Sequence, residues 1–472
     1  MGEPKIFLYT NRRHIGMDFL ISDQIEVLGA TIVMTLALVA ALLASKRRTG
    51  MVLTPVTVFF LFACAHVVFG RYAAAVLTDQ YSFVSRAALG PFLDQSFLVI
   101  STGLTCCLLG FAMFPCTSPG RIAAKLDQIS CKGAMDQICA RSRVLILVSI
   151  PLIIIGLQML GGIPLLSDNP RHDRYLLNFT PEHRLDTFLV NRGRELIVFP
   201  AAALALGWYF RKRRVIDAFF VVLAAAGCML TATRAPLLIC TSIVMTVLVW
   251  KGHFKAVAVA MAVVFAVLIA SELALGGDSN TNTGEWTTLQ GIGADLAEVR
   301  DLGWVLLKQD EPYWGLTFIA GLVPIPSFAS DFTQTYHLRT VTLNAIGFPL
   351  TAAHGGLRIT YSGEWYLNFG WPGVVAGGLL YGWMCSWFSG LFYRLRKAPL
   401  AYPVGACVVA CAWATLSFMV YMSGSASGGT LKTYGAVLAV FLFGLRRRNL
   451  SAMRERGAAI SGEMATAGAR FR

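Results

Sequence analysis

Apolar runs of about 20 residues recur along most of this 472-residue chain. A helix rises ~1.5 Å per residue, so ~20 apolar residues cross the ~30 Å hydrocarbon layer of a bilayer. Composition agrees, with 56% hydrophobic residues, only 14% charged and a mean hydropathy of +0.61. Soluble chains carry about 25% charge. A soluble enzyme, a disordered chain and a singly anchored protein are excluded. The expected fold class is an all-α polytopic membrane protein with about eleven transmembrane helices.

The eleven spans are read at 25–45, 54–77, 92–114, 143–160, 195–210, 215–231, 235–250, 256–275, 370–393, 401–421 and 431–445. The connections after spans 1, 3, 5, 7 and 9 are basic, from Lys46-Arg47-Arg48 to Arg394, Arg396 and Lys397. With the C-terminal tail they hold 24 of the 40 Lys and Arg, all on one side if the spans alternate. Loops that retain Lys and Arg are cytoplasmic. The net charge of +14 therefore reports topology and implies no nucleic-acid partner. The chain divides into spans 1–8 (1–275) with an Arg-rich exterior loop at 161–194, a large exterior loop (276–369), spans 9–11 (370–445) and a basic cytoplasmic tail (446–472). The large loop contains an amphipathic helix, with Leu296, Val299, Leu302 and Leu306 on one face and Asp295, Glu298, Arg300 and Asp301 elsewhere. Eleven cysteines show no CxxC or metal-ligand spacing and read as reduced core residues.

The exterior segments hold 16 basic residues, of which 13 are Arg. Orientation pressure opposes them there, so something retains them. The physical candidate is a phosphate or diphosphate, because guanidinium presents a planar fork that pairs two oxygens at once. Local salt bridges to Asp168, Asp173, Glu182 or Asp186 are the plainer reading of any single one. Arg234 is the most informative, lying in Thr231-Ala-Thr-Arg234-Ala-Pro236 between two short spans, with Pro236 near the first turn of the next helix. The segment 354–373 combines His354, Arg358, Glu364 and several glycines where the large loop joins span 9. No two carboxylates are spaced Asp-x-Asp or Glu-x-Asp, the usual signature of a metal-dependent sugar transferase. No Walker A lysine motif, Rossmann fingerprint or Gly-x-Ser-x-Gly elbow occurs either.

In four features the chain resembles the bacterial O-antigen/oligosaccharide repeat-unit polymerases (the Wzy family), relatives of the O-antigen ligases. These are the span count with one dominant late exterior loop, Gly-Ile-Pro-Leu-Leu at 162–166 before an Arg-rich loop, Thr-Ala-Thr-Arg-Ala-Pro-Leu-Leu around Arg234, and Gly-Glu-Trp-Tyr-Leu-Asn-Phe-Gly-Trp-Pro-Gly at 363–373. The resemblance implies a GT-C-like glycosyltransferase of the bacterial inner membrane, with its active site facing the periplasm. It would move a growing glycan from undecaprenyl diphosphate onto a lipid-linked repeat unit, with inversion, and a chain-length-regulating co-polymerase is a candidate partner. Diphosphate is a good leaving group, so arginines and one base suffice, with no metal, nucleotide or other cofactor. Arg234 is expected to hold the diphosphate with Arg171, Arg174, Arg192 or Arg194, while Arg300, Arg339 and Arg358 close over it from the large loop. His354 and Glu364 are comparable candidates for the base, and His337 trails them. An O-antigen ligase with the same donor, or a lipid-linked oligosaccharide flippase, are the alternative readings.

Overall fold

The computed structural model describes residues 18–77, 86–115, 122, 126, 134–167, 184–210, 214–231, 235–274, 298–308, 311–322, 331–345, 359–397 and 403–417. Among them there are helices and no strands. In chain order the helices are α1 (Asp18–Thr49), α2 (Pro55–Leu77), α3 (Arg86–Met113), α4 (Ala134–Met159), α5 (Arg184–Phe210), α6 (Val215–Leu230), α7 (Ala235–Lys251) and α8 (Phe254–Ala274). There follow α9 (Glu298–Lys308), α10 (Leu316–Leu322), α11 (Asp331–Tyr336), α12 (Leu338–Ala345), α13 (Thr360–Lys397) and α14 (Pro403–Ala414). The first nine expected spans fall on helices; of the tenth, 401–421, the described part is helical over Pro403–Ala414, and 431–445 lies outside the described residues. Helices long and apolar enough to cross a membrane cover Ile25–Thr49, Phe92–Met113, Met135–Met159 and Thr360–Arg396. On α1 a row of large apolar side chains faces outward, including Ile25 at 63% exposure, Leu36 at 64% and Leu43 at 61%. An outward apolar stripe of this length suits lipid and not water. The molecule has the character of a helical membrane protein.

Two glycine seams draw the helices together. On the α3–α13 seam, a Cβ on Gly382 would stand 2.2 Å from the Cys107 carbonyl oxygen, and one on Gly378 would stand 2.6 Å from that of Gly103. On the α4–α5 seam, a Cβ on Gly193 would stand 3.0 Å from the Ser149 carbonyl, and one on Gly156 2.9 Å from that of Asp186. Lipid tails are as apolar as leucine, so helices in a bilayer associate through close packing, which small residues at four-residue spacing permit. Gly378 and Gly382 have that spacing.

The element α13 is two helices and not one. Gly370 has φ 63° and ψ −153°, outside the helical region, and Pro372 follows it. Ring contacts show that the chain reverses there. Tyr361 lies 5.3 Å from Tyr381 between ring centroids, although twenty residues separate them. The Trp365 ring lies 2.6 Å from where a Gly377 Cβ would stand. In one straight helix these pairs would be ~30 Å and ~18 Å apart respectively. A short arm (360–369) thus folds back along a long arm (371–397), and the long arm alone is the membrane-length helix. Span 9 was expected to begin at 370; a buried helix precedes it instead.

Among the described residues, the basic ends of α1, α7 and α13 gather at one end. Arg48 donates to the Phe111 carbonyl at 2.7 Å and to that of Ala112, capping the last turn of α3. Arg143 meets the fully buried Asp217 at 2.8 Å, joining the start of α4 to the start of α6. The Trp250 indole donates to the Phe392 carbonyl at 2.9 Å, joining the ends of α7 and α13. The hairpin corner at Gly370 and the helix α9 lie at the opposite end.

Candidate functional site

The polar end of the bundle is built on the broken helix. Where α13 turns at Gly370, the carbonyls of Leu367 and Asn368 lose their helical donors. Trp371 has left the helical path, and Pro372 has no N–H. Both carbonyls are taken up by the loop before α10, from the Tyr313 N–H at 2.9 Å and the Trp314 N–H at 3.0 Å. To present them, Trp314 adopts φ 51° and Gly315 φ 86°. Left-handed backbone is costly for a large side chain and marks a place where surrounding structure imposes it. Burial, with the Tyr336 phenol nearby, pushes the Tyr313 phenol above its ordinary pKa.

The Asn368 side chain completes this clamp. Its Oδ1 accepts from the Gly315 N–H at 3.0 Å, and its Nδ2 donates to Thr317 Oγ1 at 2.6 Å and to the Glu364 carbonyl at 2.8 Å. Thr317 in turn donates from its hydroxyl to Glu364 Oε1 at 3.3 Å. Glu364, Thr317 and Asn368 are all fully buried. A buried carboxylate is tolerable only when hydrogen-bonded. Here one is held on a re-entrant arm by a hydroxyl that is itself fixed by an amide.

Against this arm packs α9. Leu302 lies 3.1 Å from where a Gly363 Cβ would stand. The expected amphipathic helix forms from Glu298 onward, and Leu296 and Asp295 lie outside the described residues. Apart from the exposed Lys308 at its end, its charged residues do not face water. Glu298, Arg300 and Asp301 are 5%, 5% and 4% exposed, because α9 is wedged between α2, α3 and the hairpin and so buries both of its faces. Arg300 pairs with Asp301 at 2.8 Å and lies 4.6 Å above the Trp304 ring centroid. Glu298 meets His66 of α2 at 3.4 Å. Beside them Arg71 of α2 pairs with Asp94 of α3, and Gln95 of α3 donates to the Tyr366 hydroxyl at 2.8 Å. Four helices thus contribute charged or polar groups to one layer of an otherwise apolar bundle.

Of the residues expected from sequence, Glu364 and Arg300 come together at this end. Arg192 and Arg194 lie on α5, in helix and not in a loop. Arg192 pairs with Glu195 at 2.6 Å and covers the Phe188 ring, and Arg194 donates to Asn191 within electrostatic reach of Cys228 at the end of α6. Arg234, Arg171, Arg174, Arg358 and His354 lie outside the described residues, and for Arg339 only its backbone in α12 is described. His337 is half-buried at the junction of α11 and α12. Sequence reasoning missed His66, Asn368 and Thr317 as site residues. An ionisable residue in the apolar run Cys64-Ala-His66-Val-Val-Phe was a usable signal. Thr317 carried none.

In comparison with known proteins, the chain matches no family model, no curated protein and no solved structure.

Proposed function

We propose that this protein is a membrane glycosyltransferase that lengthens a polysaccharide, taking a growing glycan from undecaprenyl diphosphate and delivering it to a lipid-linked repeat unit. The observation that carries the reading is the buried Glu364 carboxylate on the short arm, held by Thr317 and Asn368 beside the helix that bears Arg300. In this reading Glu364 is the base. The Thr317 hydroxyl that donates to Oε1 occupies the place an acceptor sugar hydroxyl would take. The acceptor oxygen attacks the anomeric carbon of the donor and its proton passes to Glu364. The bond from that carbon to the diphosphate oxygen breaks, and its electron pair leaves with the diphosphate. The developing charge on that oxygen is what arginines stabilise; Arg192 and Arg194 of α5 are candidates, together with Arg234 from the sequence motif. The basic ends of α1, α7 and α13 lie opposite this site and support a periplasmic placement, since loops that retain Lys and Arg are cytoplasmic.

The test uses Glu364→Gln, which keeps the acceptor oxygen for Thr317 and removes the base. Purified full-length protein with lipid-linked repeat units should lose ~10²–10⁴-fold in transfer rate, the usual contribution of a general base. In cells, Arg234→Ala should leave single repeat units and remove long chains. Unchanged chain length in both variants would remove these residues from the mechanism.

A further inference from the structure

We propose that the groove between α1, α7 and the long arm of α13, at the basic end, binds the phosphodiester headgroup of an acidic phospholipid. The lining of the groove includes Arg396, Ser389, Trp250 and Met51, and among the described residues no acid lines it. Lys251 follows Trp250 and lies over its ring at 4.7 Å, close enough to Arg396 for the two cations to repel. An anion seated between them relieves that repulsion and gains both charges.

A second observation points to a ligand. Ser389 is 2% exposed, lines the groove, and its hydroxyl has no hydrogen-bond partner among the described residues. A buried hydroxyl left unbonded is costly, and a phosphate oxygen is an acceptor it can reach. Free phosphate shares this chemistry. The apolar part of the lining and the neighbouring Val52 and Leu53, 41% and 38% exposed, favour the lipid, since they offer apolar surface to a glycerol backbone and acyl chains. This inference stands apart from the proposed transfer reaction and concerns the opposite end of the bundle.

Native mass spectrometry of the purified full-length protein in detergent provides the test, titrating phosphatidylglycerol against phosphatidylcholine. Phosphatidylglycerol should bind at least tenfold more tightly. Arg396→Ala should weaken it about tenfold, the loss of one charge-assisted hydrogen bond, and Ser389→Ala about threefold. Arg394→Ala removes an equal charge from the same helix end outside the groove and should change affinity less than twofold. Equal losses at Arg394 and Arg396 would overturn the site in favour of diffuse surface charge. Retention of inorganic phosphate without preference for phosphatidylglycerol would overturn the lipid assignment.

Discussion

Replacing Asn368 by Ala tests whether the broken helix and the loop before α10 form one unit. The substitution removes three buried hydrogen bonds, to Gly315, Thr317 and the Glu364 carbonyl, and leaves intact the two backbone bonds from Tyr313 and Trp314. Each neutral hydrogen bond is worth about 1 kcal/mol net, and the two that reach Gly315 and Thr317 tie the loop, so local opening of residues 313–317 becomes easier by about 2 kcal/mol. That is roughly a thirtyfold rise in the exchange-competent population. Hydrogen–deuterium exchange followed by mass spectrometry reads it directly. Peptides covering 311–320 should exchange about thirtyfold faster, while those from the middle of α3 keep their wild-type rates. Wild-type exchange in 311–320 would show that the backbone contacts alone hold the loop, and that the side-chain clamp is incidental. Uniform acceleration everywhere would place the effect in global stability and refute the local argument equally.

Gly382→Ala should destabilise the protein by about 1–3 kcal/mol through overpacking against the Cys107 carbonyl, outweighing the gain of up to ~1 kcal/mol in helix propensity. Gly29→Ala, with open space around it, should be neutral or stabilising. Thermal unfolding in detergent compares them, and a stabilised Gly382→Ala would refute the seam. Asp301→Ala removes the carboxylate that pairs with the buried Arg300 and should cost up to ~3 kcal/mol. The double change Arg300→Met with Asp301→Leu should recover most of that, and a single variant as stable as the parent would show that the pair bears no weight in the fold.

How far the fold could be read beforehand varies by element. Helices such as α1, α3 and α4 follow from apolar length, because a bilayer fixes the number of residues needed. The hairpin was not foreseen. The residues 360–369 carry Thr, Ser, Glu and Asn, which read as the end of a loop, and only the reversal at Gly370 turns them into a buried arm. The Gly370-Trp-Pro372 sequence records the break but not the direction in which the chain leaves it. Likewise α9 shows its helical period in Val299, Leu302 and Leu306, yet its charged face suggests water. The partner that receives Glu298 is His66, more than two hundred residues earlier, and no local pattern carries a pairing of that range. Of the site residues, Glu364 was legible from its motif and Arg300 from its charge on an exterior segment. Thr317 gains meaning only once Asn368 is seen to reach it.

Side chains normally give a helix pair some slack, since each contact can be recovered by a change of rotamer. Along α3 and the long arm of α13, at Gly110, Gly378 and Gly382, backbone meets backbone and there is nothing to re-adjust. The two helices therefore behave as a single girder. Whatever flexing this end of the molecule undergoes must be taken up at the Gly370 corner and in the strained turn that grips it.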